Sequence, residues 1–468
     1  MSQRQTNLEN FFTLNPHHQG LSVQNPNENR QQARSSIIKE VRLPHHTKKL
    51  WQFAKGLLYF LAIKQSCSVE GILEVICKLI SECRIIHSND IDISVLRNFL
   101  TNNDNPEILG LFSKIASYAL EVEFLFPEPI PILTKHSNGL VNLSYRQIRC
   151  LLALQFYCCF PKQETNLDLP KDYTYAKIFN KSHASQESQT SKIICALNYF
   201  RRQEFPEELY VAFIRKSIQQ KLDWSTIDLP LTEVYSIADK YGTEDYRDKI
   251  MIDFANKYIG GGVLGSGTVQ EEIMFHKHVQ PIASVIFTEK LEDEETLFFK
   301  GTQRFNKTDG YKSSFKFVDD FNESLFLDDY GRNDCYISAI DANYYGGNES
   351  SQYLQDQIAR ELHKAYVGFS GDTYDMINRD VVSGRWGCGA FGGDENLKFI
   401  IQWLAASACQ KELYFLLWDM NNPHELQQFI NICKRYKVSQ LFTSLLKARK
   451  NSNLFASIIS LLSSLETS

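Results

Sequence analysis

DFANKYIGGGVLGSGTVQEEIMFH, residues 253–276, carries an apolar approach into three consecutive glycines and, after seven further residues, into Gln270, Glu271 and Glu272. Consecutive glycines let backbone N–H groups come close to an anion with no Cβ in the way. A helix starting near Thr268 would add its own leading N–H groups, so the segment suits a diphosphate. The same helix carries Glu271 and Glu272 in its first turn. Neighbouring helical residues point about 100° apart, so these two carboxyl groups cannot flank one bond from opposite sides as a paired-carboxylate glycosidase requires. They must divide the work. One can hold sugar hydroxyls while the other protonates a leaving oxygen, with the diphosphate stabilising a cationic sugar. Two other readings compete. First-turn acids complement a helix dipole. Gly260, Gly262 and Gly265 also satisfy GxGxxG, with Glu289 ending a possible strand at the distance of a ribose-binding acid, which would make a Rossmann oxidoreductase. Asp253, Asn256 and Lys257 oppose that second reading, because they place polar groups where a buried parallel strand stays apolar.

Around this segment the texture is mixed. Apolar runs at 231–237, 249–254, 284–288, 334–340 and 412–418 alternate with helical or loop stretches and predict an α/β sandwich. Glycine-rich loops follow strands in this half, where ligand sites form. Gly387, Gly389, Gly392 and Gly393 make a second loop able to grip a diphosphate from the other side, and Phe391 between them suits a ligand-facing aromatic. Tyr311 is either a lone surface aromatic or a stacking platform for a base. From about residue 36 to 225 the apolar spacing is mainly helical, as in Leu50, Phe53, Leu57, Leu58 and Leu61, and a polar stretch at 162–191 reads as a long surface loop. We expect residues 1–35, rich in Gln, Asn, Ser and Arg, to be disordered.

At 468 residues the chain suggests two bodies, and 43% hydrophobic with 22% charged residues is ordinary for a globular protein. A net charge of -5 provides no field that would gather an anionic polymer, so an anion must be held locally. Eleven cysteines lie scattered without a CxxC pair; Cys77, Cys150, Cys158, Cys159 and Cys409 sit in apolar stretches and read as reduced core thiols of the cytosol or nucleus. Residues 1–30 lack an apolar run, so no secretory signal is expected. The apolar run at 57–63 is too short to span a membrane. His17, His18, His45, His46, His276 and His278 lack further ligands at metal spacing, and we expect no metal site. Lys48 and Lys49 read as a solvated face.

The GGG loop with QEE resembles the signature of poly(ADP-ribose) glycohydrolases, and similar segments run in order: SYRQIRCLLALQFYCCFP from Ser144, ALNYFRRQ from Ala196, RELHKAYVGF from Arg360 and WGCGAFGGDENLK from Trp386. The resemblance spans roughly residues 140–420 and implies a macrodomain-like three-layer α/β/α catalytic domain (226–468) behind an N-terminal α-helical accessory domain (36–225). It implies hydrolysis of ribose–ribose bonds in poly(ADP-ribose), with Glu272 as general acid/base and Glu271 as ribose-hydroxyl ligand. It places Gln270 and Asn256 at substrate contacts, Asp253 in support of the loop, Gly261 and Gly262 in the signature, and Cys388, Gly389, Ala390, Phe391 and Gly392 in the diphosphate loop. Phe391 would orient the ribose, Tyr311 would cover adenine and Glu244 would contact it. The chain departs from the vertebrate pattern at Arg385, which stands where asparagine is usual.

The alternative of a different class is a macrodomain reader that binds ADP-ribose without cutting it. By the resemblance, no cofactor is needed, and the partners are the polymer and ADP-ribosylated proteins. We further expect a monomer in the nucleus or cytoplasm, acting in ADP-ribosylation reversal and the DNA damage response, with no membrane and no sequence-specific nucleic acid. In the tail, Gln5, Leu8, Phe11 and Phe12 resemble the box read by the sliding clamp, proliferating cell nuclear antigen, through a turn that puts three apolar side chains on one side.

Overall fold

The computed structural model describes residues 39–63, 68–83, 91–163, 166–181, 185–202, 209–237, 242–371, 374–449 and 453–466. Gln5, Leu8, Phe11, Phe12, His17 and His18 lie outside them. Residues 39–468 form one compact unit.

Helices α1 (Lys48–Ile63), α2 (Val69–Glu82), α3 (Ser94–Asn102), α4 (Pro106–Leu120), α5 (Tyr145–Phe156) and α6 (Gln186–Arg201) come first. Several are started by side-chain caps that satisfy leading amides, among them Ser68, Asn105, Ser144 and Ser185. α7 (Gln270–His278), α8 (Gln355–Ser370), α9 (Glu395–Ala408), α10 (Pro423–Cys433), α11 (Val438–Ala448) and α12 (Leu454–Ser464) follow. No described helix is long and apolar enough to cross a membrane.

The strands are β1 (Gly139–Ser144), β2 (Tyr210–Ser217), β3 (Val234–Ile237), β4 (Ile250–Asp253), β5 (Glu295–Lys300), β6 (Asn306–Asp309), β7 (Lys316–Asp320), β8 (Tyr336–Ala339), β9 (Val381–Ser383) and β10 (Leu413–Leu416). Eight of them make one sheet in the order β1-β2-β5-β8-β4-β9-β10-β3. β8, β4, β9, β10 and β3 run parallel, while β1, β2 and β5 pair antiparallel at the other side. β6 and β7 form a separate hairpin.

Side chains alternate across the sheet and build a core on each face. Met251, Leu297, Phe299, Ile337 and Val382 join a core with α1 to α6. Ile250, Ile252, Phe298, Tyr336 and Val381 join the other with α8 to α12. The expected three-layer α/β/α arrangement is therefore present, with the first layer supplied by the N-terminal helices.

Several local expectations are corrected. The region from about 36 to 225 is mainly helical, as expected, and also contributes β1 and β2; β2 is apolar on both faces, and such a run carries no strand signature distinct from a buried helix. Residues 284–288 do not form a strand: Gln280–Ile286 is a 3-10 helix, begun by Pro281, which fixes φ and lacks an amide for a ladder. Glu289 consequently ends no strand. Its carboxyl takes Lys39 and the amides of Lys135 and Asp168, and with the antiparallel strands this removes the Rossmann reading. The polar stretch 162–191 is not one loop, since it holds a short helix, Ala176–Phe179, and the start of α6. There Ser188, Gln189 and Ser191 are buried despite their polarity, as is the next residue, Lys192. The ten described cysteines are unpaired; Cys150, Cys158 and Cys159 are buried, whereas Cys77 and Cys409 are partly exposed.

Phe156 lies at the centre of the first core, with ring centroids of Phe112, Tyr175, Phe179 and Phe200 at 5.5, 5.3, 5.4 and 6.0 Å. Phe156→Ala is expected to lower stability by about 3–5 kcal/mol, measured as a lower denaturant midpoint; an unchanged midpoint would refute this packing.

Candidate active site

β8, β4 and β9 are adjacent and parallel, so the loops after them emerge along one edge of the sheet. Ile340 ties the three together. Its amide donates to Asp253 O at 3.2 Å, and its carbonyl accepts from the Ala255 amide at 3.2 Å and from the Trp386 indole Nε1 at 2.9 Å. The two glycine loops are thereby pinned to a common residue.

The first loop leaves β4 at Asp253 and returns as α7, which begins at Gln270, two residues later than expected. Gln270 closes the turn: its Oε1 accepts from the Phe254 amide at 2.8 Å and its Nε2 donates to Ile252 O at 3.2 Å. Glu271 accepts from the amides of Asn256, at 2.8 Å, and Gly260, at 2.7 Å. Glu272 accepts from the amides of Gly262 and Val269, each at 2.8 Å. Asn256 steadies the loop by accepting from the Tyr258 amide at 3.0 Å. The bond to Val269 is a helix cap, so the capping reading of Glu272 holds as well; the bond to Gly262 is what commits the side chain to the loop.

Gly261 can be nothing larger. Its φ is +49°, and a Cβ there would lie 2.7 Å from Glu271 Oε2 and 2.8 Å from Glu272 Oε1. Both carboxyl groups thus converge on bare backbone. A Cβ on Gly267 would likewise collide with Glu272 Oε1.

Asp253 completes the cluster and is fully buried with neither carboxyl oxygen hydrogen-bonded. Burial, and then the charge of Glu272, hold its pKa well above the usual carboxylate range. Glu271 is also raised well above it, by burial first and then by Asp253 and Glu272, against the pull of its two amides. Asp253 and Glu271 therefore retain protons above the pH at which exposed acids lose them.

The second loop, from Gly387 to Gly393, runs into the start of α9, which Asp394 caps. Gly387, Gly389 and Gly392 have φ of +73°, +65° and +74°, and the Gly393 amide closes the loop on Gly387 O at 3.0 Å. Residues Gly389–Phe391 form one 3-10 turn, whose leading amides have no acceptor within it. Phe391 is half-buried and meets the exposed Tyr344 edge-on at 6.0 Å. Burial raises the Cys388 thiol to about 12. Arg385 donates to Trp418 O and Asp419 O, so the unusual residue braces the rim through backbone.

Tyr311 sits at the tip of the β6–β7 hairpin and is half exposed. The Lys312 amide donates to Thr268 O at 2.8 Å and Thr268 Oγ1 donates to Lys312 O at 2.9 Å, which ties this tip to the first loop. Burial and the Glu272 charge raise the Tyr311 hydroxyl while Arg385 opposes them, so its ring lies within electrostatic reach of both loops. Glu244 is placed differently. It pairs with Lys277 in the last turn of α7, and although burial would raise it, Lys277 and Arg304 bring its carboxyl down to about 2. Any contact of Glu244 with substrate would be shared with that pair.

Lys192, one residue beyond the stretch read as a loop, was missed; its Nζ donates to the carbonyls of Gly265 and Gly267 at 2.7 and 2.6 Å. Lys398, which pairs with Glu361 behind the second loop, was missed too. A lysine inside an otherwise helical or polar stretch gives no sequence signal of this kind. No cluster of potential metal ligands occurs among the described residues. His276 and His278 are buried, and burial holds both below the usual imidazole range.

Residues 108–215 match the family model described as poly(ADP-ribose) glycohydrolase, helical domain, and residues 221–424 the one described as poly(ADP-ribose) glycohydrolase, Macro domain fold. Among curated proteins, poly(ADP-ribose) glycohydrolase 1 of Arabidopsis thaliana is 29% identical over 352 residues, covering 60% of this chain and 64% of that protein. Poly(ADP-ribose) glycohydrolases 1 and 2 of Caenorhabditis elegans are each 29% identical, over 323 and 327 residues, covering 66% of this chain and 40% and 63% of those proteins. The chain thus spans less than two thirds of the length of these relatives.

The Asp253 assignment has a measurable consequence. Its folded-state pKa is raised, so the folded chain keeps a proton that the unfolded chain releases, and stability falls as pH climbs from the ordinary carboxylate range to the folded value. Asp253→Asn removes this penalty. Its Tm should exceed the parent's at pH 8 by on the order of 1–3 °C, with the gap closing toward pH 4; a lower Tm at pH 8 would contradict a neutral Asp253.

Proposed function

Since the chain belongs to the poly(ADP-ribose) glycohydrolase family, we propose that it hydrolyses ribose–ribose O-glycosidic bonds of poly(ADP-ribose) and releases ADP-ribose. The observation that carries this reading is the Glu272 carboxyl held by the amides of Gly262 and Val269 at the start of α7. That placement sets one carboxyl group beside a glycine loop suited to a diphosphate. In the proposed reaction Glu272 donates a proton to the departing 2′ oxygen as the C1″–O2′ bond breaks, and the carboxylate then takes a proton from the attacking water. The diphosphate stabilises the cationic ribose. Glu271 binds ribose hydroxyls through lone pairs that its two amides leave free. Asp253 stays neutral and limits the negative charge in the cluster.

Gln270 and Asn256 hold the first loop in shape, Cys388 to Gly392 grip the diphosphate from the other side, Phe391 orients the ribose, and Tyr311 covers adenine. The polymer and ADP-ribosylated proteins would be the partners, in the nucleus or cytoplasm, with the protein acting as a monomer. Gln5, Leu8, Phe11 and Phe12 would recruit the chain to the sliding clamp; the Phe11→Ala, Phe12→Ala double variant should lose capture by purified clamp, and equal capture would exclude the motif.

Purified labelled polymer tests the activity. The parent should release ADP-ribose, and Glu272→Gln should lower kcat at least about a hundredfold while ADP-ribose affinity is retained. Gly267→Ala should act in the same direction, because its Cβ displaces the Glu272 carboxyl and leaves the second loop untouched. Intact polymer under parent protein that binds ADP-ribose tightly would replace this reading with a non-catalytic reader.

A further inference from the structure

We propose that Lys192 is a positioning residue that clamps the carbonyl side of the first glycine loop so that its amide side receives Glu272. The inference rests on the reading of Glu272 as the acid/base. Lys192 belongs to α6, in the helical layer, and is fully buried. An ammonium has three protons to donate, and three carbonyls of one loop face it: Gly267 O at 2.6 Å, Gly265 O at 2.7 Å and Val263 O at 3.5 Å. Its acceptors are therefore backbone dipoles and not a carboxylate.

The clamped stretch lies between Gly262 and Val269, the two residues whose amides hold Glu272. A trans peptide is planar, so holding these carbonyls fixes the peptide units 263–264, 265–266 and 267–268, which connect the two residues whose amides hold Glu272. The loop itself closes weakly, through the amides of Gly265 and Gly267 on Gly262 O at 2.9 and 3.0 Å, and its glycines resist bending little. Without the lysine, the carbonyls of Gly265 and Gly267 would lose this donor, whereas Val263 O keeps His276 Nε2 at 3.3 Å. The ammonium also lies within electrostatic reach of Glu272.

Burial lowers the Lys192 ammonium to about 8, with Glu272 acting in the other direction. The other titratable groups facing it are His276 on α7, which burial keeps neutral, and Cys195 on α6, whose thiol burial raises. Neither changes charge between about pH 7 and 9.5.

The test uses the full chain, labelled polymer, and the variants Lys192→Met and Lys192→Arg. Lys192→Met should lower kcat by on the order of a hundredfold with KM and ADP-ribose affinity within about threefold of the parent, the split expected when only the transition state loses support. Lys192→Arg, which keeps the charge, should recover at least about a tenth of parental kcat. In the parent, kcat should decline above about pH 8 at constant KM, and in Lys192→Arg it should stay level to about pH 9.5. A Lys192→Met enzyme as fast as the parent, or one that loses ADP-ribose affinity in step with kcat, overturns the inference. Should Lys192→Met fail to fold, a Lys192→Arg enzyme that loses ADP-ribose affinity in step with kcat overturns it equally. A parent that releases no ADP-ribose instead refutes the function on which the inference stands.

Discussion

Four backbone amides meeting two adjacent carboxyl groups are the contact on which the site depends. Glu271 and Glu272 diverge around α7, yet each is met by two N–H groups, because the loop passes the helix start once through residues 256–260 and again through 262–269. A buried carboxyl without donors costs several kcal/mol, and amide-to-carboxylate bonds are among the stronger ones available to offset that. The arrangement works only if the chain between the passes has no side chain, which is why Gly261 and Gly267 are fixed by their neighbours and not by turn preference alone. Capping the helix and holding the reactive group are then the same hydrogen bond, from Val269 to Glu272.

The rest of the fold supplies a rigid frame for that contact. Parallel strands bring three loops to one edge, and the Ile340 carbonyl couples the first loop to the second by accepting from the Ala255 amide and the Trp386 indole. Each loop is then backed by a buried lysine from a different layer. Lys192 reaches the first from the N-terminal helices, and Lys398 supports the second from α9, paired with Glu361 and packed beneath Gly387 and Gly393. The N-terminal helices are therefore part of the site's construction, since they share a core with the sheet and contribute one of these props.

Much of this was legible in the sequence, for physical reasons. Glycine runs and a QEE triplet announce themselves because only glycine permits the close approach, and the strands at 250–253, 336–339 and 413–416 show as short apolar runs between breaks. What stayed hidden has equally definite causes. β2 is buried on both faces and so lacks alternation, Pro281 turned a β-branched run into a 3-10 helix, and Lys192 lay in a serine- and glutamine-rich stretch whose polarity masks its burial. The unpaired state of Asp253 depends on what fails to reach it, and no local pattern encodes an absence.

The order in which the three acids hold protons follows from their donors. Glu271 and Glu272 each have two amides that favour the anion, whereas Asp253 has none, so among neighbours that share one dry pocket the first proton belongs on Asp253. An isolated carboxyl with two unpaired oxygens is a poor choice for stability. It is a good one for setting charge, because a neutral Asp253 removes one negative charge from beside the amide-held pair. Replacing Asp253 by a hydrophobic residue would remove the strain and also the reservoir, whereas giving it a donor would make it compete for negative charge with the glutamates. The same desolvation that weakens the fold at this point thus limits the negative charge that the site carries.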